Sequence, residues 1–279
     1  MQKSFLRETA GVLMRATVVV LTIIIVVISI SALYELETGV SDGTCTIAVL
    51  PVEGVILPFH GLGDFDLVVT PEKIESFMTR IEKEKKIEGV LIEINSPGGT
   101  PVASQRIAER LRSSTLPVVG LIGDVGTSGG YMVAAATDYL IASPMSDVGS
   151  IGVNMSYVEE SIKNEEEGLT YVQLTTGKFK DIGSPNRPIT DEERELLQSD
   201  LQVVHNEFVS VVANYRDMEF SAVAALADGY SHPGSRALEL GLIDSLGTRE
   251  KAKEVFAEIL DKSIDEIIFC EYKGSVLGL

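Results

Sequence analysis

Tryptophan is absent from the 279 residues, and cysteine and histidine occur only two and three times. Two thiols, Cys45 and Cys270, cannot build a disulfide-rich scaffold or a four-thiolate zinc site. His60, His205 and His232 leave little for a histidine-rich metal centre. Basic residues are also scarce, with 23 Lys and Arg against 41 Asp and Glu, a net charge of −18. Phosphate backbones require a basic footprint, so nucleic acid is not an expected partner. No internal period of about 20–50 residues is visible, which excludes solenoids. A hydrophobic fraction of 45% with 25 glycines excludes disordered and fibrous classes. What remains is an acidic, mostly globular chain.

Long apolar runs are confined to the N-terminus. Residues 16–34, ATVVVLTIIIVVISISALY, carry no charge. At about 1.5 Å per residue they span roughly 28 Å, close to a hydrocarbon core. Lys3, Arg7 and Arg15 precede the run, and Glu35, Glu37 and Asp42 follow it. That asymmetry predicts residues 1–15 in the cytoplasm, a transmembrane anchor at 16–34, a linker at 35–42 and an exported domain at 43–279. The competing reading is a cleaved signal peptide, because Ser29-Ile30-Ser31 is a small-x-small triplet, but the run exceeds the roughly 7–15 residues of a signal h-region. Both readings export the rest. Taking three basic residues and one acid from the totals leaves 20 and 40, so the exported part carries −20. Outside the cytoplasm Cys45 and Cys270 are free to pair. Buried free thiols are the simpler expectation, since sequence alone supplies no Cβ geometry.

From Thr46 onward, short β-branched runs alternate with amphipathic stretches. Strands are expected at 46–56, 89–95, 117–124, 139–143, 171–174 and 264–270, and helices at 101–113, 129–138, 190–216 and 248–261. Thr70-Pro71 supplies an N-cap and a first-turn proline for a further helix bearing Ile74, Phe77, Met78 and Ile81. The acidic run Glu165-Glu166-Glu167 reads as a solvated helix end. The alternation implies parallel βαβ units in one α/β domain.

Ligands of parallel sheets bind beyond the carboxyl ends of strands. Two loops there are glycine-rich: Ser96-Pro97-Gly98-Gly99 and Gly123-Asp124-Val125-Gly126-Thr127-Ser128-Gly129-Gly130. Ser128, at the start of an alanine-rich helix, is a candidate nucleophile, or simply an N-cap. Gly126 to Gly130 also satisfies G-x-S-x-G, which suggests an α/β-hydrolase with a Ser-His-Asp triad. His205 sits within a helical pattern and His232 in a polar turn, neither with an evident acidic partner. A neutral lysine can activate serine instead. Among twelve lysines, Lys178 and Lys180 stand apart, following a strand pattern and preceding a Gly-Ser-Pro turn. Two solvated loop lysines are the alternative.

Six segments in order carry a family resemblance: IAVLPVEGVI, LIEINSPGGT, GDVGTSGGYMVAAATD, SDVGSIGV, GKFKDIGSP and ALELGLIDSLGTREKA. Together they resemble the signal peptide peptidase A (protease IV) family of membrane serine proteases, in its short single-domain form. The resemblance implies the Clp protease/crotonase fold of repeated ββα units, preceded by one N-terminal transmembrane helix. It implies Ser128 as nucleophile, Lys180 as general base, Ser150 as the serine that orients the lysine, and Gly98 and Gly129 as oxyanion-hole amides. No cofactor is implied. Implied partners are peptides, chiefly signal-peptide remnants, membrane lipid through residues 16–34, and other copies of the chain in a homo-oligomer. A catalytically silent peptide-binding scaffold is the rival class. The lead into the serine, Asp124-Val125-Gly126-Thr127, departs from the family's alanine-rich pattern.

Overall fold

In the computed structural model, which describes residues 14, 15, 17–27, 29, 45–59 and 68–271, the apolar runs form a nine-stranded sheet. Its strands are β1 (Ile47–Ile56), β2 (Val68–Val69), β3 (Gly89–Gly99), β4 (Val118–Thr127), β5 (Tyr139–Ala142), β6 (Asp147–Gly149), β7 (Ser231–Pro233), β8 (Ser245–Leu246) and β9 (Phe269–Glu271). The order is β2-β1-β3-β4-β5-β8, with β6 beside β4 and β9 beside β1. All pairings are parallel except β6 with β7. Parallel strands need crossovers, and helices α1 (Pro71–Ile81), α2 (Pro101–Arg112) and α3 (Gly129–Ala135) supply the first three. After them come α4 (Ser161–Glu166), α5 (Asp191–Tyr215), α6 (Phe220–Leu226), α7 (Gly234–Glu239) and α8 (Arg249–Leu260).

Strand alternation explains the two cores. Along β1, Ala48, Leu50 and Val52 pack with Ile74 and Phe77 of α1, Ile107 of α2 and Phe208 of α5. Ile47 and Val49 point the other way, onto Ala252, Val255 and Phe256 of α8. With both faces covered, residues 47–52 of β1 read as an unbroken apolar run. Each fully buried Leu, Ile or Phe contributes about 1.5–3 kcal/mol. Thr70 caps α1 as expected, accepting from the Lys73 N–H at 3.3 Å.

Four expectations need correction. Residues 171–174 form no strand: they are irregular and solvent-exposed, with Leu174 at 92% relative exposure, and pair with no strand among the described residues. Helix α3 ends at Ala135, where the Thr137 hydroxyl takes the Ala134 carbonyl and the Asp138 N–H turns to Val118. The last expected strand starts late, because Ile264–Glu266 is a 3₁₀ turn closed by a Ser263/Glu266 capping box. Lastly, Cys45 and Cys270 are disulfide-bonded, not free thiols. Pairing of β9 with β1 aligns Cys270 with Ala48 and brings the two Cα atoms to 5.6 Å.

Of the expected anchor, residues 17–27 and 29 are described, all helical, with exposed apolar side chains. Among the described residues no helix is long and apolar enough to cross a membrane. Most of the 1–15 segment, the remainder of 16–34 and all of 35–42 lie outside them.

Candidate active site

Strands β3 and β4 end side by side, with Ser96 aligned to Gly126, so both glycine-rich loops open at the same carboxyl edge. Ser128 joins β4 to α3 in an unusual conformation, φ 51° and ψ −125°, which a non-glycine residue adopts only at a cost. Its surroundings hold it there: its N–H donates to the Gly149 carbonyl at 2.7 Å, and its own carbonyl accepts from the Met132 N–H at 3.0 Å. The side chain does not cap the helix, so the simpler reading of this serine fails. Its hydroxyl, without a hydrogen bond to any described residue, borders a cavity of about 200 Å³.

Gly98 shows why this corner requires glycine. It has φ 98°, and a Cβ there would lie 2.6 Å from the Gly129 nitrogen and 3.0 Å from the Ser128 Cβ. The first loop therefore lies against the nucleophile candidate and the first amide of α3. The Gly98 N–H itself donates to the buried Ser96 hydroxyl at 3.1 Å, and that hydroxyl donates to the Gly54 carbonyl at 2.6 Å. Gly99, with Gly129, lines the cavity. The next N–H, that of Thr100, donates to the Ile56 carbonyl of β1. A Cβ on Gly129 would sit 3.2 Å from the Gly99 nitrogen. Beneath α3, the fully buried Tyr131 donates to the Leu242 carbonyl at 2.8 Å, and burial pushes its phenol pKa above the ordinary range. This pins the helix whose N-terminal amides face the cavity.

Ser150 follows the carbonyl that holds Ser128. It too has positive φ, 50°, and its hydroxyl donates to the Gly229 carbonyl at 2.9 Å. Lys180 lies elsewhere, exposed on the turn 177–183 and not in the cavity wall. Its ammonium makes no ion pair or hydrogen bond with any described residue. Lys178, in contrast, pairs with Glu192 at 2.6 Å. Asp181 faces away from its lysine neighbour: Tyr171 donates to it at 2.9 Å and the Arg187 Nε at 3.1 Å. Arg187 also donates to Glu193 at 2.6 and 2.9 Å, which holds the Glu193 carboxyl down at about 2 and the guanidinium above its usual range. The segment 155–174 displays Met155, Val158, Ile162, Leu169, Val172 and Leu174 to solvent.

His205, half-buried on α5, and His232, on the edge strand β7, line no part of the cavity. One wall that the motifs did not indicate is the α5 face of Val204, Glu207, Phe208 and Val211; Asn154 is another addition. Their spacing of three, one and three residues is a helical face, a signal present in the sequence but without a ligand to give it meaning.

Comparison with known proteins gives a consistent result. A sequence profile described as Peptidase family S49 matches residues 110–263, which include Ser128, Ser150 and Lys180. A putative protease of Methanocaldococcus jannaschii is 37% identical over 190 residues, covering 67% of this chain and 61% of the relative. A putative signal peptide peptidase SppA of Enterococcus faecium is 32% identical over 250 residues, covering 87% and 71%. Protease 4 of Salmonella typhi is 29% identical over 236 residues, covering 81% and 36%. The chain thus spans less than two thirds of the archaeal relative's length. With a profile match over more than half its residues and the Enterococcus relative aligned along most of both chains, this protein belongs to peptidase family S49.

Proposed function

We propose that the chain is a membrane-anchored serine endopeptidase in which Ser128 attacks the peptide carbonyl and Lys180 is the general base. The observation that carries the reading is the Ser128 hydroxyl: without a hydrogen-bond partner among the described residues, held on a strained backbone, and at a cavity that Gly129, the first residue of α3, also lines. Neutral Lys180 takes the hydroxyl proton as Oγ bonds to the carbonyl carbon. The tetrahedral oxyanion is stabilised by the N–H of Gly129 and a second loop amide. Gly99 fits that second place better than Gly98, whose N–H is engaged by Ser96. Loss of one such donor typically costs about 10²–10³ in rate. Lys180 then protonates the leaving amine. In the second half a water gives its proton to the same base and attacks the acyl carbon. The ester bond to Ser128 breaks with return of that proton to Oγ, and the acyl group leaves as a carboxylic acid.

For this, Lys180 must reach a cavity that its own turn does not line. A neighbouring copy of the chain supplies it in our reading, with the exposed apolar segment 155–174 as part of the contact. Transfer into a subunit interface away from water favours the neutral amine. Engagement of Asp181 by Tyr171 and Arg187 removes the carboxylate that would otherwise hold the ammonium charged. Ser150, adjacent to the carbonyl that holds Ser128, orients the incoming amine.

Residues 16–34 anchor the enzyme, and the catalytic domain lies outside the cytoplasm, a placement favoured by the Cys45–Cys270 bond. Substrates are signal-peptide remnants and other unfolded peptides near the bilayer. A fluorophosphonate probe is expected to label wild type and to miss Ser128→Ala, with labelling strongly reduced in Lys180→Ala. Equal labelling of all three proteins would exclude the dyad.

A further inference from the structure

Among the described residues, Glu207 is the one charged residue lining the cavity beside Ser128. It lies on the same face of α5 as Val204, Phe208 and Val211, and across from them stand Met132 and Val153. The lining is mixed: these apolar side chains share it with Gln105, Asn154 and Ser128, and Glu207, itself solvent-exposed, adds a carboxylate. That carboxylate makes no ion pair or hydrogen bond with any described residue. Gln105, also in the lining, gives its amide to Glu109. At about 200 Å³ the space suits a single extended side chain.

These features are complementary to a long side chain with an apolar stem and a cationic end. The methylenes of lysine or arginine would lie along Val204, Phe208 and Met132, and the cation would meet Glu207. Leucine would satisfy the apolar part of the lining but gain nothing from the carboxylate. An acidic side chain would be repelled. We propose that Glu207 makes this cavity select a lysine or arginine side chain flanking the scissile bond. This specificity rests on the reading of Ser128 as a peptidase nucleophile, and it narrows the substrates from apolar peptides in general to unfolded segments with a basic residue at the cleavage point.

The test uses the full-length protein in detergent and internally quenched peptides that differ only in Lys, Leu or Glu at the two positions flanking one bond. Wild type is expected to show kcat/KM for Lys about tenfold above Leu, with Glu lowest. Glu207→Gln should lower the Lys-to-Leu ratio about tenfold. Glu207→Lys should place Glu above Lys. Ser128-dependent cleavage with one ratio shared by wild type, Glu207→Gln and Glu207→Lys would overturn the role of Glu207 and leave the peptidase reading standing. No cleavage of any peptide by wild type, together with no fluorophosphonate labelling, would overturn both.

Discussion

At Ser128 the backbone conformation and the free hydroxyl have one origin. The serine is held between Gly149 and Met132, so its side chain projects into the cavity instead of folding back to cap α3. Gly98 enforces that geometry from the facing loop. Alanine there would combine a positive φ with a Cβ 2.6 Å from the Gly129 nitrogen. We expect Gly98→Ala to destabilise the fold by about 1–3 kcal/mol, read in urea unfolding, and to abolish fluorophosphonate labelling even where the variant stays folded. Full labelling of a folded Gly98→Ala protein would show that the contact does not position the serine. The glycine-rich loops and Ser128 were legible in the sequence because strand ends and glycines are local signals. In the proposed mechanism the choice between Gly98 and Gly99 as second oxyanion donor turns on the Ser96 hydroxyl that the Gly98 N–H engages, a contact that local sequence does not show.

Among the elements, α5 and the loop before it carry most of what the sequence left open. Expected at 190–216 and found at Asp191–Tyr215, the helix was plain from its periodicity; in the structure Thr190 and Glu193 form a capping box at its start. Its contribution to the cavity was not, since that depends on how α5 lies across α3. Residues 171–174 have strand-forming composition but no partner strand among the described residues, so local propensity alone predicted a ladder that the fold does not form there. The Arg187–Glu193 pair locks the loop to the helix start. The Glu193 carboxyl is held at about 2, below its ordinary 4.5, so its contribution to stability is complete above pH 4.5 and is lost as pH falls toward 2. Glu193→Gln should therefore unfold more readily than wild type at pH 6, and the gap should narrow as the pH is lowered through that window, followed by circular dichroism. A gap that stays constant down to pH 2 would mean the pair does not stabilise the fold.

For the whole molecule, the Cys45–Cys270 bond joins the start of β1 to β9 across a separation of 225 residues. Closing so long a loop restricts the unfolded chain, and Cys270→Ser is expected to cost about 2–5 kcal/mol, visible as a lower Tm that reducing agent lowers no further. An unchanged Tm would place the bond outside the cooperative unit. The central claim also belongs to this scale, because the proposed dyad joins Ser128 of one copy to Lys180 of the next. Its most direct measurement is peptide hydrolysis by Ser128→Ala and Lys180→Ala chains, each alone and then co-expressed. The account predicts two inactive proteins and a mixed assembly that regains activity, as one intact serine meets one intact lysine at a shared interface. A mixture as inactive as its parts, beside an active wild type, would contradict it.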